Sequence, residues 1–150
     1  MKRHNNLIPL SHDHHHGLVL ANLIKLNAPA YKGLPNELSG KIEYTKKFFN
    51  MELVRHFKEE EEILYPIVKG KSKEIDILFR EIFVEHLQIK KLVEQLDSSP
   101  EPQIILDKLG RLLESHIRKE ERELFEKIQN EFNNGELDGM NTKEKSINES

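Results

Sequence analysis

One ten-residue pattern occurs twice in this chain, sixty positions apart. His56-Phe57-Lys58-Glu59-Glu60-Glu61-Glu62-Ile63-Leu64-Tyr65 and His116-Ile117-Arg118-Lys119-Glu120-Glu121-Arg122-Glu123-Leu124-Phe125 each carry Glu at +4 and +5 from the His, Leu at +8 and an aromatic at +9. On a helix, residues i and i+4 share a face, with Cβ atoms about 5–6 Å apart. An imidazole and a carboxylate so placed reach a common point, which is how one helix supplies two ligands to a metal ion. A single copy would read as a solvated, Glu-rich helix surface. Two copies in matching register reverse that judgement, because the Leu and aromatic positions repeat with the ligands.

Composition narrows the class. The chain has 150 residues, 33% charged and 37% hydrophobic, with seven Gly, six Pro and no Trp. That size suits one domain around a single core, and the richness in Glu, Lys and Leu points to helices. No apolar run approaches the roughly 18 residues a membrane span needs. The first ten residues are basic without an apolar segment, which argues against a secretory signal. The absence of Cys excludes disulfides, iron–sulfur clusters and thiolate ligands. A net charge of −3 gives no reason to expect nucleic-acid binding. A cytoplasmic helical domain with no membrane partner is the expectation.

Turn and cap signals divide the chain into four helices. The first is expected from Ser11, read as an N-cap behind Leu10, to Asn27. The second runs from Pro35 to Tyr65, where Pro66 ends or kinks it. The third spans Ser72 to Leu96, and the fourth Glu101 to Phe132, stopped by Asn133-Asn134-Gly135. Domain boundaries follow: residues 1–132 fold, while 133–150, rich in Asn, Glu, Lys and Ser without an apolar period, are expected to form a disordered tail.

The apolar stripes decide the argument. The third helix places Ile75, Leu78, Phe79, Ile82, Ile89, Val93 and Leu96 on one face, and His86 fills the gap between Ile82 and Ile89. The fourth gives Ile105, Leu109, Leu113, His116, Glu120 and Leu124; the second gives Phe49, Leu53, His56, Glu60, Leu64 and Ile67. Three amphipathic helices thus put ionisable groups where a core-facing stripe calls for apolar ones. A lone core His is usually just hydrogen-bonded. Three His and two Glu converging at mid-length are better explained by a shared metal, since unpaired burial of charge costs several kcal/mol.

The first helix adds another imidazole. With Leu10, Gly17, Ala21 and Ile24 inward at about 100° per residue, His14 comes closest to the core. His12, His15 and His16 point further away, and the alternative is a surface His cluster that binds metals loosely. Asp13-His14 mirrors Glu85-His86, an acid directly before each single His. The chain therefore reads as two helical hairpins, each a single-His helix followed by a His-x-x-x-Glu helix.

On Asp13-His14, His56-Phe57-x-x-Glu60-Glu61, Glu85-His86 and His116-Ile117-x-x-Glu120-Glu121, the chain resembles the hemerythrin-like (HHE cation-binding) family over about residues 4–132. The resemblance implies an all-α, up-down-up-down four-helix bundle with a non-haem di-iron site between the helices. It implies His14, His56, Glu60, His86, His116 and Glu120 as metal ligands, with Glu60 and Glu120 bridging two iron ions and the His residues capping them. Imidazole and carboxylate donors also suit Mn or Zn. The oxygen carriers of the family use five His, so four leave a coordination position for water or a diatomic ligand. The implied function is binding of O₂ or NO, in sensing, carriage or protection of iron centres, rather than catalysis. Two alternatives stand beside it. A ferritin-like di-iron oxidase or peroxidase would show Glu-x-x-His pairs instead of His-x-x-x-Glu. A metal-free structural bundle would leave the His and Glu simply paired.

Overall fold

The computed structural model describes residues 2–139. Helix is the only regular secondary structure among them. α1 is Ile8–Ile24. α2, residues 38–68, is a continuous run of the segments Leu38–Phe48, Phe49–Leu53, Val54–Lys58, Glu59–Leu64 and Tyr65–Val68. α3 is Lys73–Gln95. α4, residues 102–131, joins Pro102–Lys119, Glu120–Leu124 and Phe125–Glu131. A short fifth helix, α5, is Asn134–Asp138. No helix among the described residues is long and apolar enough to cross a membrane.

Local chemistry explains most boundaries. Ser72 caps α3, its hydroxyl accepting from the Ile75 N–H, and Pro102 opens α4 in the first turn, where its missing N–H costs nothing. Gly70 takes the left-handed φ of 78° that turns the chain between α2 and α3. The start of α1 differs from expectation. Pro9 sits in the first turn and fixes the helix from Ile8, so Ser11 lies inside it and its hydroxyl donates instead to Glu121 Oε2 at 2.7 Å.

Neighbouring helices run antiparallel. Along α1 and α4, Gly17 meets Ile117 while Ala21 meets Gly110. His86 of α3 meets Glu60 of α2 as Phe79 meets Tyr65. Across α3 and α4, Glu85 meets Lys119 and Glu74 meets Lys127. The core has two apolar layers. One contains Leu10, Leu64, Val68, Phe79, Ile82, Leu124 and Phe125; the other contains Leu20, Leu53, Phe57, Ile89, Leu113 and Ile117. On each of the four long helices, the His and Glu positions fall between the two layers.

α2 and α4 contain wide, π-helical turns. The N–H of Val54 bonds back to Phe49 O, that of Tyr65 to Glu60 O, and that of Phe125 to Glu120 O, each spanning five residues. Each wide turn adds a residue and rotates the following face. That is why Val68 is fully buried and Ile67, expected inward, is 41% exposed. Pro66 does not end α2, because it lies in the first turn after such a widening. In the first turns of α4, Leu106 is buried and Ile105, expected inward, is only partly covered.

The folded part runs past 132. Asn133 and Glu136 form a reciprocal capping box at α5, and Leu137 is buried against the first apolar layer. Positions 140–150 of the expected tail lie outside the described residues.

Two glycines set the spacing of α1 and α4. A Cβ on Gly110 would come within 2.7 Å of the Ala21 carbonyl oxygen, whereas one on Gly17 would meet the mobile end of Ile117 at 2.8 Å. Gly110→Ala should therefore cost about 1–3 kcal/mol through displaced backbone, and Gly17→Ala distinctly less, because a side chain can rotate away. Chemical denaturation of both variants checks the order; equal stability would mean that α1 is free to shift.

Candidate metal centre

Each single-His helix and each His-x-x-x-Glu helix delivers its side chains to one point. His14 of α1, His56 and Glu60 of α2, His86 of α3, and His116 and Glu120 of α4 are all buried, the two carboxylates completely. Donor atoms of His14, His56, Glu60 and Glu120 lie within 4.8 Å of one another, and so do those of Glu60, His86, His116 and Glu120. The two groups share Glu60 and Glu120. His12, His15 and His16 stay on the exposed side of α1, so the helix phase that put His14 inward holds.

The inner atoms do not satisfy one another. His14 Nε2 and His56 Nε2 face each other at 3.1 Å. His14 Nε2 is 3.3 Å from Glu120 Oε1, and His86 Nε2 is 3.1 Å from Glu60 Oε1. His116 Nε2 and Glu120 Oε1 are 2.8 Å apart without hydrogen-bond alignment. Glu60 Oε2, both oxygens of Glu120 and His116 Nε2 have no hydrogen-bond partner. Carboxylate oxygens with no exposure and no donor are costly. A bound divalent cation would remove that cost, and the imidazole and carboxylate donors suit iron, manganese or zinc.

Every imidazole is held from behind. Nδ1 of His14 is 2.9 Å from Glu121 Oε2, and that of His56 is 3.1 Å from Asp13 Oδ2. Nδ1 of His86 is 2.6 Å from Glu61 Oε2, and that of His116 is 2.7 Å from Glu85 Oε1. An ionised carboxylate accepts, so each Nδ1 carries a proton, and loss of any second proton from Nε2 leaves its lone pair facing inward, the tautomer a metal ligand needs. The acids are anchored in turn. Arg55 grips Asp13 with both terminal nitrogens, at 3.2 and 3.3 Å, and reaches buried Glu59 at 2.7 Å. Lys119 donates to Glu85 at 2.6 Å, and Ser11 to Glu121.

Sequence reading noticed Glu at +5 and the acid before each single His without assigning their partners. Asp13 orients the His of the next helix, as Glu85 does in the second hairpin. Glu61 and Glu121 orient the single His residues, and the repeated spacing was the signal for all four. Nothing in the spacing pointed to Arg55 or Lys119.

The electrostatics follow from burial and pairing. Burial alone would lower the His56 pKa, but Glu60 and Asp13 outweigh it and push it up to about 9. Burial would raise Glu60, yet His56 and His86 hold it well below the usual carboxylate range. Burial dominates at His116, which is lowered despite Glu85. Glu85 and Glu121 are lowered by their His, Lys and Ser partners against burial.

The arrangement is that of a helical cation-binding domain with two adjacent donor groups bridged by shared carboxylates. Residues 8–128 match the hemerythrin HHE cation binding domain, and the chain belongs to that family. It is also similar to a DNA nickase of Nostoc sp. (strain PCC 7120), 31% identical over 99 residues, a stretch that covers 63% of this chain and 28% of the nickase. No solved structure matches.

The metal-free protein should be destabilised from both sides of neutrality. His56, raised from 6.5 to about 9, stabilises fully below pH 6.5 and loses that contribution as the pH climbs through about 9. Glu60, lowered from 4.5, stabilises above that value and loses its contribution on acidification. Thermal melts in chelator should therefore fall from pH 6.5 to 9 as well as below pH 4.5, and Asp13→Asn should flatten the alkaline limb. A midpoint unchanged between pH 6.5 and 9 would contradict the His56 assignment.

Proposed function

We propose that this chain is a non-haem di-iron protein, an up-down-up-down four-helix bundle in which α1 to α4 hold two ions and bind O₂ or NO. The observation that carries this reading is the sharing of Glu60 and Glu120 between two otherwise separate His pairs. His14 and His56 would hold one ion and His86 and His116 the other, with Glu60 and Glu120 offering oxygens to both and offsetting much of their charge. Manganese or zinc would fit the same donors. Iron, when bound, supplies an open coordination position and the electrons that a diatomic ligand takes up. The spacing His-x-x-x-Glu and the absence of single Glu ligands on α1 and α3 weigh against a ferritin-like oxidase. The nickase is a longer protein, and its activity is not carried over to this chain.

The chain's own residues divide the work. Asp13, Glu61, Glu85 and Glu121 fix the imidazole tautomers, and the apolar layers above and below exclude water. One of the four orienting acids differs from the rest. The side chain of Glu61 is 42% exposed, against 14% for Asp13, 13% for Glu85 and 29% for Glu121. It borders a groove of about 310 Å³ between α2 and α3, lined by Val54, Phe57 and Leu87 and reaching His86. The Phe57 ring stacks on His86 with centroids 3.8 Å apart. This groove is the route by which a small apolar ligand reaches the His86–His116 side of the centre.

Anaerobic reconstitution followed by metal analysis should find two iron ions per chain, and visible spectra should change on exposure to O₂ or NO. One ion per chain, or iron without any spectral response, would refute the reading. His14→Ala should lose close to half of the iron, because that ion keeps only His56 as a nitrogen ligand, while His15→Ala retains it. Val54→Trp should fill the groove and slow NO association at unchanged iron content; an unchanged rate would place the entry elsewhere.

A further inference from the structure

The buried centre uses one imidazole of the His12–His16 run and leaves three outside. His12 and His16 lie one turn apart on the exposed face of α1, with ring centroids 4.9 Å apart. From α2, Glu52 brings Oε1 to 4.0 Å from His16 Nδ1, and the side chains of His16 and Glu52 are 46% and 42% exposed. His15, His16 and Glu52 border a groove of about 350 Å³ between α1 and α2, walled by Val19, Tyr44 and Phe48, and His12 lies outside its lining. Core packing does not account for these imidazoles, since His12 and His16 are both exposed, and His is a weaker helix former than Ala, Leu or Lys.

We propose that His12, His16 and Glu52 form a second metal site, separate from the buried centre, for a late first-row divalent cation: zinc, copper(II) or nickel(II). Two imidazoles at i and i+4 on one helical face form a chelate whose geometry the backbone fixes in advance. Imidazole donors select this part of the series, and one carboxylate offsets half of the charge of the ion without demanding a hard cation. Two donors on one zinc ion stand roughly 3.3–3.5 Å apart, given bonds of about 2.0–2.2 Å. Closing the 4.0 Å between His16 and Glu52, and bringing the His12 imidazole in beside them, calls for rotation of three side chains on the outer face of α1 and α2.

The donors come from two helices, so an ion there ties α1 to α2 from outside. The tie lies beside the place where His14 and His56 meet inside. His15 borders the same groove, but its ring is 6.1 Å from that of His16 and it lies about 100° round the helix from it, so it is not part of the i, i+4 chelate.

The test is a zinc titration by calorimetry on full-length protein, with the metal content of the buried centre measured before and after. The expected result is one zinc ion per chain beyond those in the buried centre, accompanied by a higher thermal midpoint. His12→Ala and His16→Ala should each weaken this zinc by more than about tenfold, Glu52→Gln by less, and His15→Ala not at all. The buried metal should be unchanged in all four variants, so the result stands or falls separately from the di-iron reading. If the buried centre itself takes zinc, the His12→Ala/His16→Ala double variant still subtracts one ion and leaves the others. Equal zinc uptake by wild type and the double variant would overturn the proposal, as would loss of the ion in His15→Ala with retention in His12→Ala.

Discussion

Two carboxylates with no solvent exposure sit between two apolar layers, and the rest of the structure answers to them. Glu60 and Glu120 carry charge in a place where desolvation is most costly. Their oxygens are near imidazole nitrogens, but most lack an aligned donor. Protons on His56 and His86 offset part of that charge in the metal-free protein, which is why both imidazoles are raised above their ordinary range. A bound cation would offset it more completely, and would also account for His14 and His56 presenting Nε2 to one another at 3.1 Å. Metal binding at this layer would therefore be linked to folding, since without it only protonation stabilises the buried carboxylates.

The polar layer has an outer ring that repeats between the two halves of the chain. Asp13, His14, His56, Glu60 and Glu61 correspond to Glu85, His86, His116, Glu120 and Glu121. Each half orients a His of its own second helix with the acid from its first helix, Asp13 for His56 and Glu85 for His116. Each half also lends its +5 Glu to the single His of the other half, Glu61 to His86 and Glu121 to His14. The halves are thus stitched at the site itself. The repeat is broken at its outer edge, where Arg55 and Lys119 cover two of the acids while Glu61 faces a groove. Ligand chemistry is symmetric here, but access is not.

Much of this was legible in the sequence because helical spacing converts directly into direction. The stripe on α3 needed only steps of three and four, and Ile75 through Leu96 fell where expected. His14 was chosen over its neighbours by angle alone, and the structure buries it. The failures have local physical causes. Ser11 has the chemistry of a cap, but Pro9 starts the helix earlier, and the hydroxyl found a carboxylate on α4 instead. Ile67 was misplaced because a wide turn after Glu60 rotated the face, which regular periodicity cannot anticipate. Leu137 is a single apolar residue in a polar stretch, and burying it required the first apolar layer to exist already.

The wide turns also bear on why the pattern is His-x-x-x-Glu-Glu followed by Leu and an aromatic. An unbroken α-helix that aims His56 and Glu60 at the centre would carry the stripe on to Ile67. The turn that begins at Glu60 inserts one residue before the next layer. It lets Glu60 point into the buried centre and Glu61 at the back of His86, while Leu64 and Val68 still enter the apolar layer. The same widening at Glu120 separates the roles of Glu120 and Glu121 and brings both Leu124 and Phe125 into the core. Wide turns are costly relative to regular helix and persist where function holds them. Two of the three close on the carbonyl of a shared carboxylate residue, Glu60 and Glu120, so the distortion that hid Ile67 from a periodic reading is the same one that separates the inward Glu60 from the outward Glu61.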